Sequence, residues 1–160
     1  MLLGVVSDTH GHLHNTLEAV ELFRSQHVDV VIHCGDIGST TIPALFRDWP
    51  THFVLGNVDR PAEEFERAVV AANLTFHGRF GNLELAGRRI AWLHGDDPRR
   101  WKEVTSGGQW DLVCYGHTHQ ALERFEGATH VLNPGAVYRA KPHSVAVVRL
   151  PELTVEFLTF

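Results

Sequence analysis

The 160-residue chain reads as an α/β domain in which two sheets pack together with helices outside. Three observations carry that expectation. Short apolar runs alternate with helix-period segments through the first half, in the order βαβαβ. The second half turns to short runs broken by turn residues, most of which read as antiparallel strands. Five of the apolar runs end in polar residues, and each polar group follows its strand rather than preceding it.

Leu2–Val6 is expected to be a buried strand that stops at Ser7-Asp8. Asn15 with Glu18 resembles a capping box, and Leu13, Leu17, Val20 and Phe23 recur at helical spacing, so a helix is expected from Asn15 to Ser25. Val28–His33, rich in β-branched residues, is a second strand. A short helix spans Thr41–Trp49, with Pro43 in its first turn. His52–Leu55 is a third strand, and Pro61 opens a helix that runs to Ala72. Leu83–Leu85 and Arg88–Leu93 flank Ala86-Gly87 as a tight hairpin. Asp97 caps a helix that opens with Pro98 and stops at Gly107-Gly108. Leu112–Tyr115 is another buried run, and Ala121–Phe125, His130–Leu132, Ser144–Arg149 and Leu153–Phe160 are the antiparallel strands.

Length and composition bound the rest. No linker, repeat or low-complexity tract divides residues 1–160, so a single domain is expected. The formal charge of −5 and the lack of a basic run argue against nucleic-acid binding. No apolar run approaches the roughly 20 residues of a membrane span. The opening MLLGVVSDTH has neither a basic leader nor a cleavage site, so it does not read as a signal peptide. Cys34 and Cys114 each end an apolar run and read as buried, reduced thiols, which agrees with a cytoplasmic location.

The polar groups at the strand ends carry the chemistry. They contain Asp8 and His10, Asp36, Asn57, His94, and His117 and His119, with glycine beside four of the five at 35, 56, 95 and 116. In an extended backbone, residues two apart point the same way, which would pair Asp8 with His10 and His117 with His119. Glycine permits sharp turns and close approach. In open α/β sheets such strand ends form the ligand crevice. Mixed oxygen and nitrogen donors suit Mn, Fe, Zn or Ni better than Ca or Mg. Seven side chains exceed what one ion usually takes; two ions sharing a carboxylate would use them all.

These motifs, Asp8-x-His10, Gly35-Asp36, Gly56-Asn57, His94-Gly95 and Gly116-His117-Thr118-His119, together with Asn133-Pro134-Gly135, resemble the calcineurin-like metallophosphoesterase superfamily, and most closely its small bacterial and archaeal phosphodiesterases. The resemblance implies a four-layer α/β/β/α sandwich of two mixed sheets flanked by helices. It also implies a dinuclear metal-dependent phosphoesterase, with Mn as the first candidate metal. Asp8, His10 and His119 would hold one ion, Asn57, His94 and His117 the other, and Asp36 would bridge them. Asp36, Asn57 and His94 would thus be catalytic as well as ligating. The expected reaction is in-line attack on phosphorus by a hydroxide shared between the ions.

The chain departs from its relatives at two positions. Many relatives carry a histidine after the Gly-Asn motif that assists the leaving group; here it is Val58, and His12 is the first replacement candidate for proton donation. Asp96 stands where relatives often have a histidine, and reads either as a binder of water near the second ion or as a solvent-facing loop residue. Asp59 reads as a cap or turn residue, and His33 as a hydrogen-bonded core histidine. Arg60, Arg100 and Arg139 lie near the motifs and are candidate phosphate contacts. The partner expected is a small phosphate ester: a cyclic nucleotide, another diester or a nucleotide derivative. A phosphomonoesterase or nucleotidase, and a non-catalytic scaffold such as the metallophosphoesterase-like subunit of the retromer coat, are the rival readings. The C-terminal LTVEFLTF could form an exposed edge through which a homo-oligomer assembles.

Overall fold

The computed structural model describes all 160 residues. Two mixed sheets face one another. In the first, β1 (Leu2–Val6), β2 (Val30–His33), β3 (Thr51–Phe53) and β4 (Thr75–Phe76) run parallel in that spatial order. β10 (Ser144–Arg149) lies antiparallel beside β1, and β11 (Thr154–Thr159) forms the edge. In the second, β6 (Arg88–Leu93), β7 (Leu112–Cys114) and β9 (Thr129–Pro134) are parallel, with β5 (Phe80–Leu85) and β8 (Ala121–Glu126) antiparallel at the two edges.

Strand periodicity builds the layers. Leu3 and Val5 of β1, Val30 and Ile32 of β2, and Ala146 and Val148 of β10 point into the space between the sheets. They meet Ile90 and Trp92 of β6, Leu112 and Cys114 of β7, and Leu132 of β9. The alternate residues face outward. On the first sheet Val6, Val31, Val145 and Val147 pack under α1 (Leu13–Gln26), α2 (Ala62–Ala71) and a short 3₁₀ helix (Pro43–Phe46). On the second, Ala91, Leu93, Val113 and Val131 pack under α3 (Pro98–Ser106). Strands buried on both faces explain why the sequence shows apolar runs rather than apolar–polar alternation. The result is the expected helix–sheet–sheet–helix sandwich. No helix is long and apolar enough to cross a membrane.

Local chemistry was read correctly at several turns. Ala86 and Gly87 both have positive φ, 49° and 75°, as a two-residue hairpin requires. Asp97 caps α3 by accepting the Arg99 and Arg100 N–H groups at 3.0 and 3.1 Å. Cys34 and Cys114 are unpaired thiols in the core between the sheets, and burial pushes both well up, so neither ionises readily.

Other expectations fail for tertiary reasons. The capping box at Asn15 does not form. His12 caps α1 instead, its Nδ1 accepting the Asn15 N–H at 3.4 Å, and the helix starts at Leu13. Asn15 is drawn inward, where its amide donates to the Val137 carbonyl oxygen at 2.8 Å. The buried face of α1 is accordingly Thr16, Ala19, Val20 and Phe23, and Leu13 and Leu17 lie exposed. The helix expected over Thr41–Trp49 contracts to Pro43–Phe46, because Ile42, Phe46 and Trp49 all turn into the core beneath α1 and α2. The two-residue β4 is too short to show a period in the sequence.

His33 is fully buried, as expected of a core histidine. Its Nδ1 accepts the Gly35 N–H at 3.2 Å, and its Nε2 lies 3.1 Å from the Thr9 hydroxyl. That hydroxyl already donates to the Ile37 carbonyl oxygen, so His33 is the neutral Nε2–H tautomer. Burial pushes the imidazole down to about 3.

Two predictions follow from this packing. The unfolded chain protonates His33 near pH 6.5 and the folded chain only near 3. Its contribution is therefore present above pH 6.5 and lost as the pH falls toward 3. Urea denaturation of metal-stripped protein at pH 7 and pH 4.5 should show wild type losing roughly 2–3 kcal/mol more on acidification than His33→Asn. Equal losses would place the proton elsewhere. Gly81 sits opposite Trp92 in the β5–β6 ladder, and a Cβ there would overlap the buried indole. Gly81→Ala should cost roughly 1–3 kcal/mol in the same assay.

Candidate metal centre

Five parallel strands, β1, β2 and β3 of one sheet and β6 and β7 of the other, end at the same rim. The loops that follow are sewn together by backbone hydrogen bonds. Asp8 N–H donates to Gly35 O at 3.0 Å, His10 N–H to Asp36 O at 2.9 Å, and Gly116 N–H to His94 O at 3.0 Å. His94 Nδ1 donates to the Cys34 carbonyl oxygen at 2.9 Å, which ties the second sheet to the first.

The side chains converge by a route the sequence did not reveal. Asp8 and His10 do not share a face of an extended strand. Asp8, His10, Asp36, His117 and His119 all adopt left-handed backbone, with φ of 57°, 46°, 52°, 65° and 59°. Non-glycine residues in that region are uncommon, and such strain clusters at functional sites. Each left-handed residue turns its side chain toward the rim within a very short loop.

Two groups of donors result. In one, His119 Nε2 lies 3.0 Å from Asp8 Oδ1, and His10 Nε2 lies 3.3 Å from His119 Nε2 and 3.8 Å from Asp8 Oδ1. In the other, His94 Nε2 lies 3.1 Å from Asn57 Oδ1 and 3.3 Å from Asp36 Oδ1, and the His117 ring stands 5.1 Å from the His94 ring. Asp36 joins them, since its Oδ2 is 3.7 Å from His10 Nε2. Asp8, His10 and His119 form one cluster able to hold a metal ion, and Asp8, Asp36 and His94 form a second.

The donor set fits cations. Asp8 Oδ1 is buried and accepts no hydrogen bond, although His119 Nε2 is close by. Lone pairs aimed at one another across 3–4 Å would repel unless a positive charge lay between them. The outer nitrogens are anchored: His94 Nδ1 by Cys34 and His119 Nδ1 by the Arg139 carbonyl oxygen at 3.4 Å. That leaves each Nε2 facing inward, the usual arrangement of a ligating imidazole.

Charge supports the same picture. Burial pushes Asp36 up, but His94 and the Val58 N–H outweigh it and hold the carboxyl down at about 2. Burial pushes His94 down, and Asp36 and Asp8 outweigh it, so its pKa is raised. The Asp8 carboxylate beside it raises His119. These carboxylates therefore favour positive charge at the centre, and a divalent ion would compete with protons for it.

Small residues make the convergence possible. A Cβ on Gly56 would overlap the Asp36 carboxylate, and one on Gly116 would overlap Ser7 Oγ and crowd Asp8. Asp59, read from sequence as a cap or turn residue, is buried and accepts N–H groups from Ile37, Gly38 and Gly56 at 3.1, 2.8 and 2.8 Å. It fastens the Asp36 loop to the Asn57 loop.

The remaining candidates lie at the margins. His12 caps α1 and stacks on Tyr138, ring centroids 4.4 Å apart; the Tyr138 ring in turn lies 6.4 Å from that of His10. Asp96 accepts two hydrogen bonds from Arg79, at 2.5 and 2.7 Å, and so does not stand free beside the centre. Arg100 pairs with Glu103 at 3.1 Å and lies over the Phe80 ring. Arg60 is exposed. Arg139 is exposed but shares a cavity with His119. Arg79, Tyr138 and Lys141 were missed, because no motif contains them and only the fold brings them near.

If Gly56 exists to admit Asp36, Gly56→Ala should weaken Mn²⁺ binding to metal-stripped protein by about tenfold or more in calorimetry while the far-ultraviolet dichroism stays native. Unchanged affinity would remove Gly56 from the account of the site.

The comparison with known proteins agrees with this geometry. Residues 1–152 match the calcineurin-like phosphoesterase superfamily domain. The chain is 30% identical over 140 residues to phosphodiesterase MJ0936 of Methanocaldococcus jannaschii, covering 84% of this chain and 83% of that protein. A solved archaeal phosphodiesterase superposes with a TM-score of 0.91 at 25% identity over the whole of both chains. In fold alone, zinc-bound Vps29 of Entamoeba histolytica is also similar, with a TM-score of 0.68 at 15% identity over 100% of this chain and 98% of that one. A sandwich of two mixed sheets with aspartates and histidines gathered at one rim, matched along nearly its whole length, places the chain in the calcineurin-like phosphoesterase superfamily, among its small archaeal and bacterial phosphodiesterases.

Proposed function

We propose that the protein is a dinuclear phosphodiesterase with Mn²⁺ as its first candidate metal. The observation that carries this reading is Asp36, which turns Oδ1 to His94 and Oδ2 to His10. Asp8, His10 and His119 would hold one ion, Asn57, His94 and His117 the other, and Asp36 both. When bound, such a pair supplies positive charge for phosphoryl oxygens and a water acidic enough to lose a proton near neutral pH.

The chain's own residues set the conditions. Two carboxylates, Asp8 and Asp36, leave two of the four positive charges of a dinuclear centre uncompensated, since the amide and imidazoles are neutral when ligating. The pocket then attracts a phosphate although the protein is acidic overall. Asp59 and the anchored nitrogens of His94 and His119 keep the ligands in place, which spares reorganisation during reaction. Cavities of about 220 and 380 Å³ flank the centre, one beside His94 and one beside His119, which supports a substrate with two ester arms. Val58 lies exposed at the rim and has no proton to give. Esters with acidic leaving groups should therefore react fastest.

Metal-stripped protein should hydrolyse bis(p-nitrophenyl) phosphate on addition of Mn²⁺, and p-nitrophenyl phosphate more slowly. Asp36→Asn should abolish turnover without unfolding the chain. Failure on both esters with Mn²⁺, Fe²⁺, Zn²⁺ and Ni²⁺ alike would replace this reading with a non-catalytic scaffold.

A further inference from the structure

The two cavities beside the centre differ in charge. On the His94 side the cations are already neutralised, Arg79 by Asp96 and Arg100 by Glu103. On the His119 side the cavity is lined by Arg139 and Lys141 with Thr118, Gln120 and Ser144, and no acidic residue lines it. Neither cation has a carboxylate partner; Arg139 makes only a distant contact with the Tyr138 ring, 5.8 Å from its centroid.

Arg139 is also built into the site. Its carbonyl oxygen accepts from His119 Nδ1, and its backbone is left-handed with φ of 61°. The segment that carries it leaves β9 through Gly135, and Tyr138 N–H donates to the Asp8 carbonyl oxygen at 3.1 Å. Its position is thus tied to two ligands of the same group, Asp8 and His119. In a chain of net charge −5, two unpaired cations beside a metal centre are a local reversal of sign. Guanidinium and ammonium groups together, with hydroxyl and amide side chains around them, match the oxygens of a phosphate.

We infer that the Arg139–Lys141 cavity is a subsite for a second phosphate, so that the substrate is a phosphodiester bearing a further phosphate on the arm that lies over His119. The inference rests on the phosphodiesterase reading and narrows its substrate class to nucleotide-like diesters with a distal phosphate. Arg139 and Lys141 are specificity-determining residues here and touch no reacting atom. Because both side chains are exposed, the preference should weaken with added salt.

The test uses two diesters that differ only in the distal group: thymidine 5′-(p-nitrophenyl phosphate) and its 3′-phosphorylated form. The Mn²⁺-loaded wild type should favour the 3′-phosphorylated ester about tenfold in kcat/KM, chiefly through KM. In Arg139→Gln/Lys141→Gln the ratio should fall to about one, and in Arg139→Lys/Lys141→Arg it should return. Each ratio is internal to one enzyme, so a general loss of activity cancels. In parallel, calorimetry should show thymidine 3′,5′-bisphosphate binding about tenfold more tightly than thymidine 5′-monophosphate to wild type and not to the glutamine variant.

A ratio of one in wild type, with normal turnover of the simpler diester, overturns the subsite and leaves the phosphodiesterase standing. A ratio that persists in the glutamine variant overturns it as well. Absence of turnover on both diesters overturns the phosphodiesterase reading, and calorimetry then judges the anion site alone: a bisphosphate preference lost in the glutamine variant keeps the site, and no preference removes it.

Discussion

The carboxylate of Asp59 takes N–H groups from Ile37, Gly38 and Gly56, and so binds the loop after β2 to the loop after β3. Asp36 and Asn57 ride on those two loops. Burial raises the Asp59 pKa, while the three amides oppose it. The Ile37 and Gly56 N–H groups are buried, and without this acceptor each would cost on the order of 1–3 kcal/mol. Asp59 touches no other charged group in the centre, yet the placement of Asp36 between the two donor groups depends on it. The Val58 N–H, from the same turn, completes the hold by donating to Asp36 Oδ1 at 3.1 Å.

That tie works against strain. Five of the side chains at the rim sit on left-handed backbone, and Asp8 keeps a buried oxygen without a hydrogen bond. The core between the sheets, with Trp92, Ile32, Leu3 and Leu132 fully buried, holds the strands whose ends carry this arrangement. A rigid double-sheet frame thereby supports a set of short loops that would not keep these conformations alone. The same frame explains the charge pattern. Asp8, Asp36 and His94 lie deepest, the His10 and His119 imidazoles lie nearer the surface, and the uncompensated cations Arg139 and Lys141 stand outside on one flank.

Much of the centre was legible before any coordinates. Asp8, His10, Asp36, Asn57, His94, His117 and His119 announce themselves because each follows an apolar run, and most stand beside a glycine. The hairpin at Ala86-Gly87 and the cap at Asp97 were legible for a similar reason: their chemistry is contained in neighbouring residues. Asn15 misled because its partner is Val137, 122 positions away in the chain. Arg79, Tyr138 and Lys141 were invisible for the same cause, since nothing near them in sequence marks them.

The sequence by itself determined the strand ends, the donor set and the two-layered apolar pattern, because these depend on residue type and short-range period. Tertiary structure alone decided which donors face each other, that the route of convergence is left-handed turns rather than extended alternation, and that the open cations lie on the His119 side. Those outcomes depend on contacts between segments far apart in the chain, such as His94 with Cys34 and His119 with Arg139, and on which carboxylates happen to neutralise which arginines. Periodicity carries no information about such pairs; only the closed fold sets their distances.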